Sequence, residues 1–141
     1  MEKSNNDVTF KGRYLGILFL VIVQVILGFI HVMFGFILLS GFNSFSSSMI
    51  STVYTIYTLV YGTLSLVFAY LLWMNKRIGW IGTFAISSFV IFVDLLAISG
   101  LFNILDIPAP IFAASGEIPY SLLIILYLIQ NHMLSKYKIS L

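Results

Sequence analysis

The sequence predicts an all-α, polytopic membrane protein: a four-transmembrane-helix up-and-down bundle with both termini in the cytoplasm. Three observations carry this prediction. The chain is 60% hydrophobic and only 9% charged over 141 residues. Its mean hydropathy of +1.07 implies more apolar surface than a small soluble core can hide. Four apolar stretches each reach the about 20 residues needed to cross a ~30 Å hydrocarbon layer. The seven Lys and Arg residues fall in alternate segments between those stretches. Lys3, Lys11 and Arg13 precede the first, Lys76 and Arg77 separate the second from the third, and Lys136 and Lys138 follow the fourth. By the positive-inside rule these segments face the cytoplasm.

The whole chain, 1–141, reads as a single membrane domain. The first span covers about 14–41 and ends at Gly41, Phe42, Asn43 and Ser44, before the serines at 46–48. Its apolar run is roughly twice as long as a signal-peptide core and lacks a convincing cleavage site, so it is expected to be retained. The second span covers about 49–74 and ends at the basic turn Asn75, Lys76, Arg77. The third covers about 78–102 and opens into an outer loop, 103–117, carrying Asp106, Pro108 and Pro110. That loop is too apolar for a free linker and too rich in proline for a helix, so it is expected to lie on the membrane surface or against protein. The fourth span covers about 118–135, with Pro119 in its first turn, where a missing N–H costs nothing. Tyr14, Trp73, Trp80 and Tyr137 are expected at the cytoplasmic interface, and Tyr54 and Tyr120 at the outer side. Basic residues before spans one and three hint at two parallel repeats, but any four-span protein with cytoplasmic termini would carry them there.

The same composition excludes several classes of function. Cysteine is absent, which removes disulfides, thiolate catalysis and thiolate metal sites. A net charge of +2 is divided among short segments, which suits lipid headgroups and orientation rather than nucleic acid. No nucleophile elbow, zinc-protease helix, P-loop or paired carboxylates on one helix face is present, so no enzymatic activity, cofactor or metal is expected. No span is broken by Pro or Gly at mid-membrane, as many transporters require.

The polar residues inside the spans are the candidate site. Asp94 is the one formally charged residue within a span, and His31 lies at a matching depth, each about 26 Å along its helix from the basic flank. An Asp94–His31 hydrogen bond is the simplest way to satisfy both. On span one Gln24, Gly28, His31 and Gly35 share a face. Span two aligns Tyr54, Tyr57 and Tyr61 on one face and Thr58, Gly62, Ser65 and Ala69 on a neighbouring one, and span three aligns Thr83, Ser87, Asp94 and Ala97. Such small and polar faces pack inward, leaving Leu, Ile, Val and Phe for lipid. Gln24, His31, Tyr54, Tyr57, Tyr61 and Asp94 therefore form the expected intramembrane polar cluster. Gly28, Gly35, Gly62, Ser65, Ala69 and Ser87 are the expected packing contacts. The cluster reads as an interhelical clamp, a proton or ion relay, or, with ligands from a partner, a metal site. Glu117 is favoured by a helix N-terminus and could join the cluster. Gln130, Asn131 and His132 fit a solvated or capped helix end.

The stretch Tyr61-Gly62-Thr63-Leu64-Ser65-Leu66-Val67-Phe68-Ala69-Tyr70-Leu71-Leu72-Trp73, followed by Lys76-Arg77-Ile78-Gly79-Trp80, resembles the central hairpin of small uncharacterised four-helix integral membrane proteins of archaea and bacteria. The resemblance implies a four-helix bundle and supplies no catalytic residues; His31 and Asp94 are not part of the shared pattern. Small size and missing catalytic motifs lead to the expectation of a multi-pass cell-membrane protein acting as a non-catalytic accessory or scaffold subunit. Its expected partners are the lipid bilayer and either other integral membrane subunits, possible in an energy-converting or oxidase-type complex, or copies of itself. The alternative is a small oligomeric channel or proton-coupled transporter using the Asp94 and His31 region.

Overall fold

The computed structural model describes residues 9–10, 13–40, 52–101 and 111–139. Among them the chain is helical apart from a two-residue antiparallel strand pair, Thr9–Phe10 with Arg13–Tyr14, that leads into the first helix. The helices are α1 (Leu15–Leu39), α2 (Thr52–Trp73), α3 (Arg77–Ile98), α4 (Ile111–Leu128) and α5 (Asn131–Tyr137). Three of them are long and apolar enough to cross a membrane, and a fourth span is reached if α4 and α5 count as one. The Gly41–Ser48 break lies outside the described residues, as does the 103–110 part of the expected outer loop.

In water α1 would be a poor helix, rich in β-branched residues and holding three glycines. In hydrocarbon the backbone has no other partner for its N–H and C=O groups, and the helix is the form that satisfies all of them within one segment. Large apolar side chains such as Phe19, Phe29, Phe36, Phe92 and Leu123 are correspondingly exposed.

From α1 to α4, successive helices run antiparallel. α1 and α2 approach most closely at Gly28 and Gly62, where a Cβ on Gly62 would lie 2.8 Å from the Gly28 carbonyl oxygen. α2 and α3 are joined by a tight turn: Asn75 takes the left-handed conformation (φ 54°), and the N–H groups of Asn75 and Lys76 return to the carbonyls of Leu72 and Leu71. This closes α2 with the paired bonds of a helix C-cap, Asn standing where Gly is usual. Gly79, one turn on, lies directly against the backbone of Leu71 and Leu72. α3 packs on α2 and α4, while α4 reaches α1 through side chains, with Tyr127 over Gly16 and Glu117 beside His31.

The last helix departs from the expected 118–135. α4 begins at Ile111, so Pro119 falls in its third turn rather than its first. The chain then breaks at Ile129 and Gln130 and turns by 69° into α5. Gln130, Asn131 and His132 thus open a new short helix instead of closing an old one. The break leaves carbonyls at the end of α4 without helical donors. The Trp80 indole donates to one of them, the Leu128 carbonyl, at 3.0 Å.

The core nearest the basic turn is apolar: Ile17, Leu20, Val21, Ala69, Leu72, Trp80, Ile124, Leu128, Met133 and Tyr137 form one buried cluster. Trp80 and Tyr137, expected at the lipid interface, lie inside it, 5% and 3% exposed. Burial is tolerated because each polar tip caps a helix end, Trp80 on Leu128 and the Tyr137 hydroxyl on the Leu72 carbonyl at 2.9 Å.

Candidate functional site

The polar side chains gather away from that apolar plug, toward the other end of the helices. The stripe on α1 turns Gln24, Gly28 and Gly35 inward, and His31 is 17% exposed. On α2, Thr58, Tyr61, Gly62, Ser65 and Ala69 are buried, with Tyr54 and Tyr57 half-buried beside them. On α3, Thr83, Ser87, Asp94 and Ala97 are buried. Two groups result, one around His31 and one around Gln24.

His31 does not pair with Asp94. Its Nδ1 donates to the Leu27 carbonyl at 2.8 Å, and its Nε2 faces Glu117 Oε1 at 3.4 Å, so both ring nitrogens are already engaged. The reason is the earlier start of α4, at Ile111, which carries Glu117 beside His31. Glu117 is the site residue that sequence reasoning placed at a helix terminus. Its position in the second turn of a helix beginning at Ile111 is what brings it into the site.

The hydrogen bonds constrain the protons. A carbonyl only accepts, so Nδ1 must carry a hydrogen. Nε2 and Oε1 then face each other with room for one proton between them, giving either imidazolium with carboxylate or neutral imidazole accepting from a carboxylic acid. Both states are neutral overall, which suits a site that is only 17% and 23% exposed at its two side chains. Removing the shared proton leaves a net negative charge there, and that state is the expensive one in hydrocarbon.

Aromatic rings wall the pair. Tyr61 meets the His31 ring edge-on at 4.7 Å, and Tyr57 stacks on Tyr61 at 6.1 Å. Tyr54 and Phe89 extend the wall on either side of Tyr57, at 6.2 and 6.4 Å. Asp94 is 7% exposed, and its Oδ2 is buried with no hydrogen-bond partner, as are the hydroxyls of Tyr57 and Tyr120. A carboxyl oxygen and two hydroxyls inside the bundle therefore stand ready to take or give hydrogen bonds.

The second group lies nearer the plug. Gln24, 2% exposed, reaches across the interior to donate from Nε2 to Thr83 Oγ1 at 3.4 Å, linking α1 to α3. Ser65, Ser87 and Ser121 are buried on the other faces of the interior. Among the described residues no three His, Asp or Glu side chains come together as a metal site would require. The arrangement suits proton binding between a His and a carboxylate, with a second carboxyl nearby. No known protein family, curated protein or solved structure matches this chain, and its function is read from these residues.

Proposed function

We propose that this chain is a four-span integral membrane protein of the cell membrane, α4 and α5 together making the fourth span, and that it works as a small oligomeric proton channel or proton-coupled transporter. The start of α1, the Lys76–Arg77 turn and α5 share one end, and by charge that end and both termini face the cytoplasm. The observation that carries the function is the His31–Glu117 pair, with Nε2 and Oε1 3.4 Å apart inside the bundle, together with the unpartnered Oδ2 of Asp94. Intramembrane ionisable groups are costly and mark proton and ion routes. Pro119 adds support. It removes one backbone donor from α4 two residues from Glu117, the kind of local weakness that lets a helix segment move.

Transport is favoured over a scaffolding role because the small-residue faces that could grip a partner are used within the chain, Gly28 against Gly62 and Gly35 against Leu59. One observation still supports an accessory subunit: α1 has only 22% of its most apolar window buried, against 39% for α2 and α3, leaving a broad face for another membrane helix.

The test is purified protein in liposomes holding a pH-sensitive dye, with a potential applied. Glu117→Gln and Asp94→Asn should each lower proton flux at least about tenfold while mass and helicity stay unchanged. Loss of assembly in both variants, with no flux in the wild type, would make the cluster a structural clamp. Stoichiometric recovery with larger membrane subunits would return the accessory reading.

A further inference from the structure

The apolar plug and the His31 cluster leave a middle layer whose chemistry is unaccounted for. Gln24 sits there, 2% exposed, and its Oε1 has no hydrogen-bond partner within the protein. The orientation of the amide does not remove the deficit. Turned as described, Nε2 donates to Thr83 and the oxygen is left over; turned the other way, the oxygen accepts from the Thr83 hydroxyl and the NH₂ is left over. One end of a buried amide is unpaired in either case, in a region where lipid offers no substitute.

The surroundings are polar enough to hold a small hydrogen-bonding molecule. Thr83 is fully buried and Ser65 and Ser87 nearly so, at 0%, 3% and 4% exposure, and they come from α2 and α3 around the interior that Gln24 enters from α1. A water molecule needs two to four polar partners, and a site with fewer stays dry.

We propose that this layer binds at least one internal water on the Gln24 amide, with Thr83 as its second anchor. The water extends the polar interior from His31, seven residues or about 10 Å further along α1, inward to the middle of the chain. There it stops: Ile17, Leu20, Ala69, Leu72 and Trp80 close the other side. The plug therefore separates this water from the basic-turn end. The water site does not depend on proton transport, and it holds equally for a purely structural cluster.

The chain contains two glutamines, Gln24 and Gln130, so selective labelling of the glutamine side-chain amide with nitrogen-15 gives two signals, in the full chain in nanodiscs. Gln130 is exposed, and Gln130→Glu identifies the Gln24 signal by removing the other. The expected result is a water-to-amide cross-peak at Gln24 at short mixing times, weakened severalfold in Thr83→Val. A Gln24 amide that shows cross-peaks to surrounding methyl groups and none to water overturns the proposal. Flux measurements on the same samples report separately on transport, so a dry Gln24 with normal flux would sink the water site and leave the proton reading standing.

Discussion

Gly62→Ala should weaken the bundle by forcing apart its tightest helix pair. A Cβ at Gly62 would stand 2.8 Å from the Gly28 carbonyl oxygen, 2.8 Å from the Val32 nitrogen and 2.9 Å from Val32 Cγ2. Two of the three contacts are backbone, so no rotamer change relieves them. α1 must move away by several tenths of an ångström, and its other contacts with α2 loosen with it. Overpacking of this kind costs about 1–3 kcal/mol, and contacts with backbone belong at the upper end. Alanine returns about 1 kcal/mol through its better helix propensity, leaving about 2 kcal/mol of net destabilisation. Gly116→Ala is the matched control. A Cβ there meets nothing within 4 Å, so only the propensity gain of about 1 kcal/mol remains. The same substitution at two helical glycines should thus differ by about 3 kcal/mol. The assay is reversible unfolding in mixed micelles followed by circular dichroism. Equal stability of the two variants would refute the close approach of α1 and α2, and with it the use of the small-residue faces inside the chain.

Three further outcomes are expected. Trp80→Phe keeps the ring stacked on Phe84, now at 5.3 Å, but strips the donor from the Leu128 carbonyl. It should cost about 1 kcal/mol and raise hydrogen exchange around residues 129–131, whereas unchanged exchange there would mean that the indole does not hold the bend. Pro119→Ala restores a backbone donor at an exposed position of α4. It should raise stability by about 2–3 kcal/mol in the same unfolding assay, and a fall in proton flux in the stiffer variant would tie the weak point to transport. Tyr137→Phe removes the hydroxyl that reaches the Leu72 carbonyl, at a cost of about 1 kcal/mol, and should free α5 for faster proteolysis at its C-terminal end.

Some site residues were readable in the sequence and others were not, for definite reasons. Gln24, Thr83, Ser87 and Asp94 stand out because polar side chains among apolar ones are rare enough in a span for their spacing to declare a face. Glu117 was assigned to a helix start because Pro119 suggests a first turn; the helix instead starts at Ile111 and tolerates the proline within it. The bend after Leu128 carries neither Gly nor Pro, and its one local trace is the polar run Gln130, Asn131, His132. Trp80 and Tyr137 look like interface aromatics until their partners are known, since an amphipathic ring serves equally well at a headgroup or on a freed carbonyl.

By itself the sequence determined the solvent, the helices and which face of each turns inward, because hydrocarbon forces the backbone into helices and penalises every polar side chain that faces it. Depth along each helix follows from counting residues, which puts His31 and Asp94 far from the basic end. Only the tertiary structure decided who meets whom. His31 finds Glu117 rather than Asp94, and Gln24 crosses to Thr83, because neighbours across an interior depend on where each helix begins and which helices stand side by side. Periodicity gives a face and a height, and a hydrogen bond needs the distance between two faces as well.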